Sequence, residues 1–279
     1  MQRFGRSDSR WKDRWGGGFV IVTVLALAGA WWLGNWLSDR WASQEPASSG
    51  TNPAGSPGGG EMAGMPSAQA PLDTSRRPLT VYFLQAHALK SPEAARRAAA
   101  DLEQNGLPAA VSHAGEWYKV VVGAYGSRDG AMAAKAEAES AYRGPTKLSL
   151  YANPVSIAAE PAVRPQNAAA QAAFDKGLGL LSGYLHEAAA WWDRYATGQA
   201  TGADRLTQYT SQLQGVADEL RPHTSDPVVG SLVAMVEKAV QNGGQIGVLA
   251  QGGGEDQYRA AMSGYLALVE QFRSWTSGA

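Results

Sequence analysis

Four residues in the first half of the chain carry side chains that could recognise a sugar or a base. Phe83 and Trp117 are aromatic, and each is followed two positions later by a hydrogen-bonding residue, Gln85 or Lys119. Residues two apart in a β-strand point to the same face of a sheet. Aromatic rings can stack on sugars or bases while an amide or ammonium group reaches hydroxyl or acidic groups. The pattern therefore predicts a binding surface, and the alternative is a sheet face packed on the linker or the C-terminal region.

An internal repeat would supply the strands that hold these residues. Residues 82–89 align with residues 118–125, 36 positions later, and each copy is followed by a serine that can cap a helix, Ser91 or Ser127. Each copy has the pattern of a strand, a short loop and a helix. Two such copies, each closed by another strand, predict a βαββαβ order with one antiparallel sheet and two helices on one face.

The alternation of side chains predicts which face those helices cover. Leu84 and Val120 fall on the face opposite Gln85 and Lys119. Both predicted helices are rich in alanine, whose small side chain lets a helix lie close to a sheet. We expect the helices to bury Leu84 and Val120 and to leave the other face open.

The repeat resembles the SPOR (sporulation-related repeat) domain. The segment Tyr-Lys-Val-Val-Val-Gly-Ala-Tyr at residues 118–125 is similar to the family's Tyr-Arg-Val-Arg-Val-Gly-Pro-Phe-like strand, and residues 127–131 are similar to its Ser-x-x-x-Ala helix start. Residues 84–89 correspond to its Val-Gln-Val-Gly-Ser-Phe segment. The resemblance covers residues 79–153. It implies binding to bacterial peptidoglycan, with a preference for glycan strands that lack stem peptides, as found at division septa.

The resemblance also implies a set of glycan-binding residues: Gln85, Ala88, Trp117 and Lys119. Gln85 corresponds to the family's glycan-contacting glutamine, Ala88 to a small polar residue, Trp117 to an aromatic residue and Lys119 to the first arginine of the third strand. Val121, which cannot form side-chain hydrogen bonds, stands where the family has a second arginine. We therefore expect a Val121→Arg variant to bind glycan more strongly.

Residues 17–37 are mostly apolar and are long enough to form a transmembrane anchor. At about 1.5 Å per residue they span about 30 Å, the thickness of a bilayer core. Residues 1–16 contain five basic and two acidic side chains, which predicts that this segment is cytoplasmic and the C-terminus extracytoplasmic. The alternative is a signal peptide cleaved after Ala30. The apolar run continues beyond that residue, which favours the anchor.

The remaining segments predict two linkers and a helical bundle. Residues 38–78 are rich in serine, glycine, proline and alanine and predict a disordered linker, and the three prolines of residues 154–166 predict a second linker. In residues 167–279 apolar residues recur every three or four positions, as in four amphipathic helices. The predicted fold class is α+β: a single transmembrane helix, a βαββαβ sheet domain and an all-α bundle. We expect the sheet domain and the bundle to fold independently.

Nothing in the sequence has the spacing of a catalytic or metal site. His186 and Glu187 begin like a zinc-protease motif, but residue 190 is alanine. The chain contains no cysteine, its four histidines lie in separate segments, and its net charge is −1. We predict no enzymatic activity, no metal, no cofactor and no nucleic-acid partner.

These observations favour a membrane-anchored protein that binds peptidoglycan glycan strands at a division or sporulation septum. The order of the segments also resembles that of a sporulation protein of spore-forming bacteria. One alternative is a non-catalytic envelope scaffold with a degenerate sheet domain, whose bundle binds another septal or envelope protein. Another is a wall hydrolase, or its activator, with unrecognised residues in the bundle.

Overall fold

The computed structural model describes residues 71–200 and 202–278. The predicted cytoplasmic segment 1–16 and anchor 17–37 lie outside the described residues, as does most of the first linker. Among the helices that the structure describes, none is long and apolar enough to cross a bilayer.

The first part of the described chain is a four-stranded antiparallel sheet with two helices, which confirms the predicted βαββαβ order. The strands lie in the order β2-β3-β1-β4. The elements are, along the chain, β1 (Leu79–Leu89), α1 (Pro92–Gln104), β2 (Ala110–Ala114), β3 (Trp117–Tyr125), α2 (Arg128–Ala141) and β4 (Tyr151–Ile157).

Both helices begin at the serine that the sequence indicates. The Ser91 hydroxyl accepts a hydrogen bond from the Ala94 N–H at 3.2 Å, and the Ser127 hydroxyl accepts one from the Gly130 N–H at 3.0 Å. Each bond satisfies an N–H group that has no partner within the helix. Each copy of the sequence repeat therefore contains a helix that begins at a capping serine.

The last strand is longer than the sequence predicts. β4 continues to Ile157 and pairs with β1 as far as Leu79, so the first four residues of the predicted linker 154–166 are strand. Pro154 belongs to this segment and lies opposite Tyr82. A proline is tolerated there because β4 is an edge strand, in which an N–H group on the outer side has no partner strand.

Four helices follow the sheet, as the apolar periodicity predicts. They are α3 (Ala168–Ala196), α4 (Asp204–Leu220), α5 (Pro227–Ala250) and α6 (Glu255–Ser277).

An aromatic cluster lies in the core of these helices. Trp192 is fully buried, with its ring centroid 5.0 Å from that of Trp191 and 5.8 Å from that of Tyr258. Burial raises the pKa of Tyr258 to about 12. The cluster is packed core, which agrees with the interpretation of the aromatic stripe as core.

The sheet and the bundle share one buried cluster within a compact unit that spans residues 68–279. Asp193 of α3 accepts a hydrogen bond from the Ser127 N–H at 3.2 Å. A Cβ atom at Gly130 would collide with the Asp193 carboxylate, so glycine lets the two parts approach closely. Burial raises the pKa of Asp193, although the hydrogen bonds from Ser127 oppose the shift. Independent folding of the two parts stays a prediction.

Both predicted linkers are fixed to the bundle where the structure describes them. Arg76 pairs with Asp175 at 2.7 Å and with Glu160 at 3.2 Å, and Arg164 pairs with the same two carboxylates. Burial would raise the pKa of Asp175, but the hydrogen bonds and charges of Arg164 and Arg76 lower it. The Tyr209 hydroxyl also donates to the backbone oxygen of Asp73 at 2.9 Å. The described end of the first linker is therefore held in place, because Arg76 of the first linker and Arg164 of the second both pair with Asp175 on α3.

Candidate functional site

One face of the sheet is covered by α1 and α2, as predicted. Leu84 and Val120 are 1% and 0% exposed, and both helices contact β1 and β3. The alanines Ala95 and Ala134 are buried in this layer. The opposite face, which carries Gln85 and Lys119, is called the Gln85 face below.

The Gln85 face is not open along its whole length, so that prediction is wrong for half of it. Val81, Phe83 and Val121 are buried, and Arg273 of α6 lies in the same cavity as Phe83 and Val121. The alternative, a face packed on the C-terminal region, is confirmed for this half. Both faces of β3 are covered in this half, since residues 120–125 are all buried. A strand covered on both faces has a continuous apolar sequence.

The other half of the Gln85 face holds the four predicted binding residues. Gln85 lies opposite Val121, and Ala88 lies opposite Lys119. Directly opposite residues of antiparallel strands project to the same face. Trp117 and Ala88 are exposed, whereas Gln85 and Lys119 are half-buried. The structure therefore brings Gln85, Ala88, Trp117 and Lys119 onto one partly exposed surface.

A bulge in β1 explains the place of Ala88. Strict alternation would put Ala88 on the face opposite Gln85, but the pairing with β3 shifts register between Gln85 and His87. One extra residue in a strand reverses the face of every residue after it.

Sequence reasoning missed two residues of β4 on the same face. Tyr151 lies opposite Gln85 and is 62% exposed, which makes it a second exposed aromatic beside Trp117. The Asn153 amide donates to the Gln85 side-chain oxygen at 3.2 Å. Tyr151 and Asn153 are two positions apart, so a strand predicted from the sequence at these residues would have placed both side chains on one face.

The Gln85 face also contains a small cavity of about 30 Å³, lined mainly by apolar surface. Gln85 and Lys119 line it together with Ser112, Asn153 and Arg273. The volume is about that of one water molecule in the liquid, so the cavity is too small for a sugar ring. Sequence reasoning missed Arg273 because it lies on a helix, 160 positions along the chain from His113, the sheet residue that it contacts.

A cation contacts the exposed tryptophan. The Lys90 ammonium lies 5.2 Å from the centroid of the Trp117 ring. This distance is within the range of a cation–π contact, which holds the ring in position. Trp117 nevertheless keeps 42% of its surface exposed and can stack on a ligand.

Comparison with known families identifies the sheet part. Residues 78–146 match the family model of the SPOR domain. The chain contains a SPOR domain. The match begins just before β1 and ends before β4, and it indicates peptidoglycan binding. No curated protein and no solved structure shows significant similarity to the chain. The similarity in layout to a sporulation protein stays a prediction.

From its place in the structure, we expect Val121→Arg to destabilise the protein and not to strengthen glycan binding. Val121 is fully buried beside a cavity too small for a guanidinium chain, so the variant combines overpacking with a buried charge. We expect its free energy of unfolding to fall by about 3 kcal/mol. Denaturant unfolding of the parent and the variant measures this change. Stronger glycan binding without any loss of stability would contradict the packing described above.

His186 has structural contacts in the bundle. Its Nδ1 lies 2.9 Å from the backbone oxygen of Ser182, and its Nε2 lies 3.3 Å from that of Pro78. Both ring nitrogens are thus next to backbone groups of the protein. The prediction that the chain is not an enzyme stays a prediction.

Proposed function

We propose that this protein is a membrane-anchored peptidoglycan-binding protein that docks on glycan strands at the division septum. The observation that supports the proposal most directly is the convergence of Gln85, Ala88, Trp117 and Lys119 on one partly exposed face of the SPOR domain.

The chemistry of the Gln85 face suits a sugar chain. Trp117 and Tyr151 lie on β3 and β4, on either side of Gln85 on β1, and offer two aromatic surfaces to sugar rings. The Gln85 amide N–H groups and the Lys119 ammonium group are hydrogen-bond donors to hydroxyl and carbonyl oxygens. A strand could therefore lie across the sheet with its rings on the aromatics and its polar groups over Gln85 and Lys119.

The N-terminal part of the proposal is a tether. We infer that residues 17–37 anchor the chain in the cell membrane, with the N-terminus cytoplasmic and the C-terminus extracytoplasmic. The predicted linker between the anchor and the described residues would reach roughly 30 Å, which would put the SPOR domain in the wall next to the membrane.

The location is tested by a fluorescent fusion to the full-length chain in dividing cells, combined with external protease. The proposal requires a band at the septum and removal of the C-terminal part by the protease. A uniform envelope signal would count against septal docking, and a protected C-terminus would overturn the topology.

A second function, as a protein scaffold, is favoured by one specific observation. Half of the Gln85 face, including Phe83 and Val121, is already occupied within the protein. A degenerate SPOR domain could then serve to hold the bundle, which would bind another septal or envelope protein. If the protein is a scaffold, substitutions at Trp117 and Gln85 should leave its septal localisation unchanged. If it docks on glycan, the same substitutions should abolish septal localisation.

A further inference from the structure

A cleft of about 290 Å³ lies between the SPOR domain and the bundle. The SPOR domain forms one wall, from α2 and the end of α1, and the bundle forms the other, from the end of α3 and the start of α6. Clefts between two packed parts of a protein are common places for small ligands. Because the second wall lies beyond residues 78–146, the cleft is not a feature of the SPOR domain alone.

One charged residue that lines the cleft has no partner. Arg143 pairs with Glu255 at 3.0 Å, and Arg259 pairs with Asp256. Glu137 has no hydrogen-bond or ion-pair partner among the residues that the structure describes. These five groups are three carboxylates and two guanidinium groups, which leaves one negative charge unbalanced. The charge of the cleft therefore favours a cation.

A tyrosine hydroxyl group lies near the Glu137 carboxylate. The ring of Tyr195 stacks on those of Trp191 and Tyr258, at centroid distances of 5.2 and 5.8 Å, so the bundle core holds it in place. Its hydroxyl group has no hydrogen-bond partner within the described part of the chain. Burial raises the pKa of Tyr195, and the charge of Glu137 raises it further. The cleft thus presents a carboxylate and a hydroxyl oxygen, both of which can accept hydrogen bonds.

The same cleft has an apolar part. Leu107 and Ala138 line it and are only 3% and 9% exposed. A short aliphatic chain would cover this apolar surface and remove it from water. A primary ammonium group at the end of such a chain is charged at neutral pH and has several N–H donors, which match the acceptors of Glu137 and Tyr195.

We propose that this cleft binds the primary ammonium group of a short aliphatic amine. Glu137 and Tyr195 accept hydrogen bonds from the ammonium group, while Leu107 and Ala138 contact the aliphatic chain. Glu137 belongs to the SPOR domain and Tyr195 to the bundle, so a bound amine joins the two parts. The proposal goes beyond glycan docking, because α2 covers the side of the sheet opposite the Gln85 face.

The test compares compounds that share one pentane skeleton, each titrated into the full-length protein in neutral detergent and followed by ligand-observed NMR. The parent should bind 5-aminopentan-1-ol about tenfold more tightly than pentane-1,5-diol, which carries no charge. It should also bind this amine more tightly than the N-trimethyl derivative, which keeps the charge but has no N–H donor. Equal binding of the amine and the diol would overturn the site, and equal binding of the amine and its N-trimethyl derivative would overturn the hydrogen bonds.

The amine could be a free molecule or a lysine-like side chain of a peptide, since both carry the same group. N-acetyl-lysine methylamide separates the two sources. If it binds as tightly as 5-aminopentan-1-ol, the cleft accepts a peptide side chain. If it binds more weakly, the ligand is a free amine.

Three variants assign the preference for the amine over the diol to the two acceptors. Glu137→Gln should reduce it to about twofold, and Tyr195→Phe should reduce it to about fivefold. Glu137→Gln breaks no contact between described residues, and Tyr195→Phe keeps the stacked ring, so both variants should fold. Glu116→Gln is the matched control, because it removes the same charge from the exposed turn between β2 and β3, and it should keep the parent's preference. A Glu137→Gln variant with the parent's preference would overturn the proposal.

Discussion

An alanine at position 117 is expected to lower the affinity for stripped glycan strands by about 5- to 150-fold. Trp117 is 42% exposed on the Gln85 face, and its ring offers a stacking surface worth about 1–3 kcal/mol. The free energy of unfolding should hardly change, because the ring is not part of the buried core. Gln85→Ala should cost less, about 0.5–1.5 kcal/mol of binding, as expected for one hydrogen bond at a half-exposed site.

Co-sedimentation with amidase-treated sacculi over a range of protein concentrations measures these affinities. Met132→Ala is the matched control, because Met132 is a similarly exposed apolar residue on α2, away from the Gln85 face. Its affinity should equal that of the parent. If Trp117→Ala and Met132→Ala bind alike, the exposed half of the Gln85 face is not the binding surface.

Replacing Trp192 with alanine is expected to lower the free energy of unfolding by about 3–5 kcal/mol. The ring is fully buried among Trp191, Tyr195, Tyr258 and Tyr265, so its loss leaves a large cavity. Denaturant unfolding of the full-length chain in detergent measures the change, with Trp117→Ala as the exposed tryptophan for comparison.

A Trp192→Phe variant refines this prediction. The indole N–H of Trp192 has no hydrogen-bond partner among the described residues. Phenylalanine keeps much of the ring volume and removes this unsatisfied donor, so its cost should be well below that of alanine. A phenylalanine variant as unstable as the alanine variant would show that the indole N–H has a partner in solution.

The sequence predicted the fold well because the relevant signals are local. Ser91 and Ser127 cap their helices as their positions indicate, and the apolar period in the second half yields four helices. The internal repeat then set the topology, since two strand–helix–strand units of this kind can form only a few sheets.

Half of the Gln85 face was wrongly predicted to be open, because the residues that cover this half lie far along the chain. Alternation assigned Phe83 and Val121 to the Gln85 face correctly, but periodicity cannot show that Arg273 and α6 pack on that face. The continuous apolar run in β3 was the one local signal of burial on both sides.

The site itself was predicted in part. Gln85, Trp117 and Lys119 followed from alternation together with the resemblance, but Ala88 reaches their face only through the register shift at Gln85 and His87. Tyr151 and Arg273 needed the structure, since one depends on strand pairing and the other on packing between distant segments.

Binding of the full-length chain to purified sacculi tests the central claim most directly. The claim predicts saturable co-sedimentation that increases when an amidase removes the stem peptides. It also predicts that the combined variant Gln85→Ala, Trp117→Ala and Lys119→Gln stays folded and loses this binding. A parent that stays in the supernatant with amidase-treated sacculi, or a folded triple variant that binds as the parent does, would contradict it.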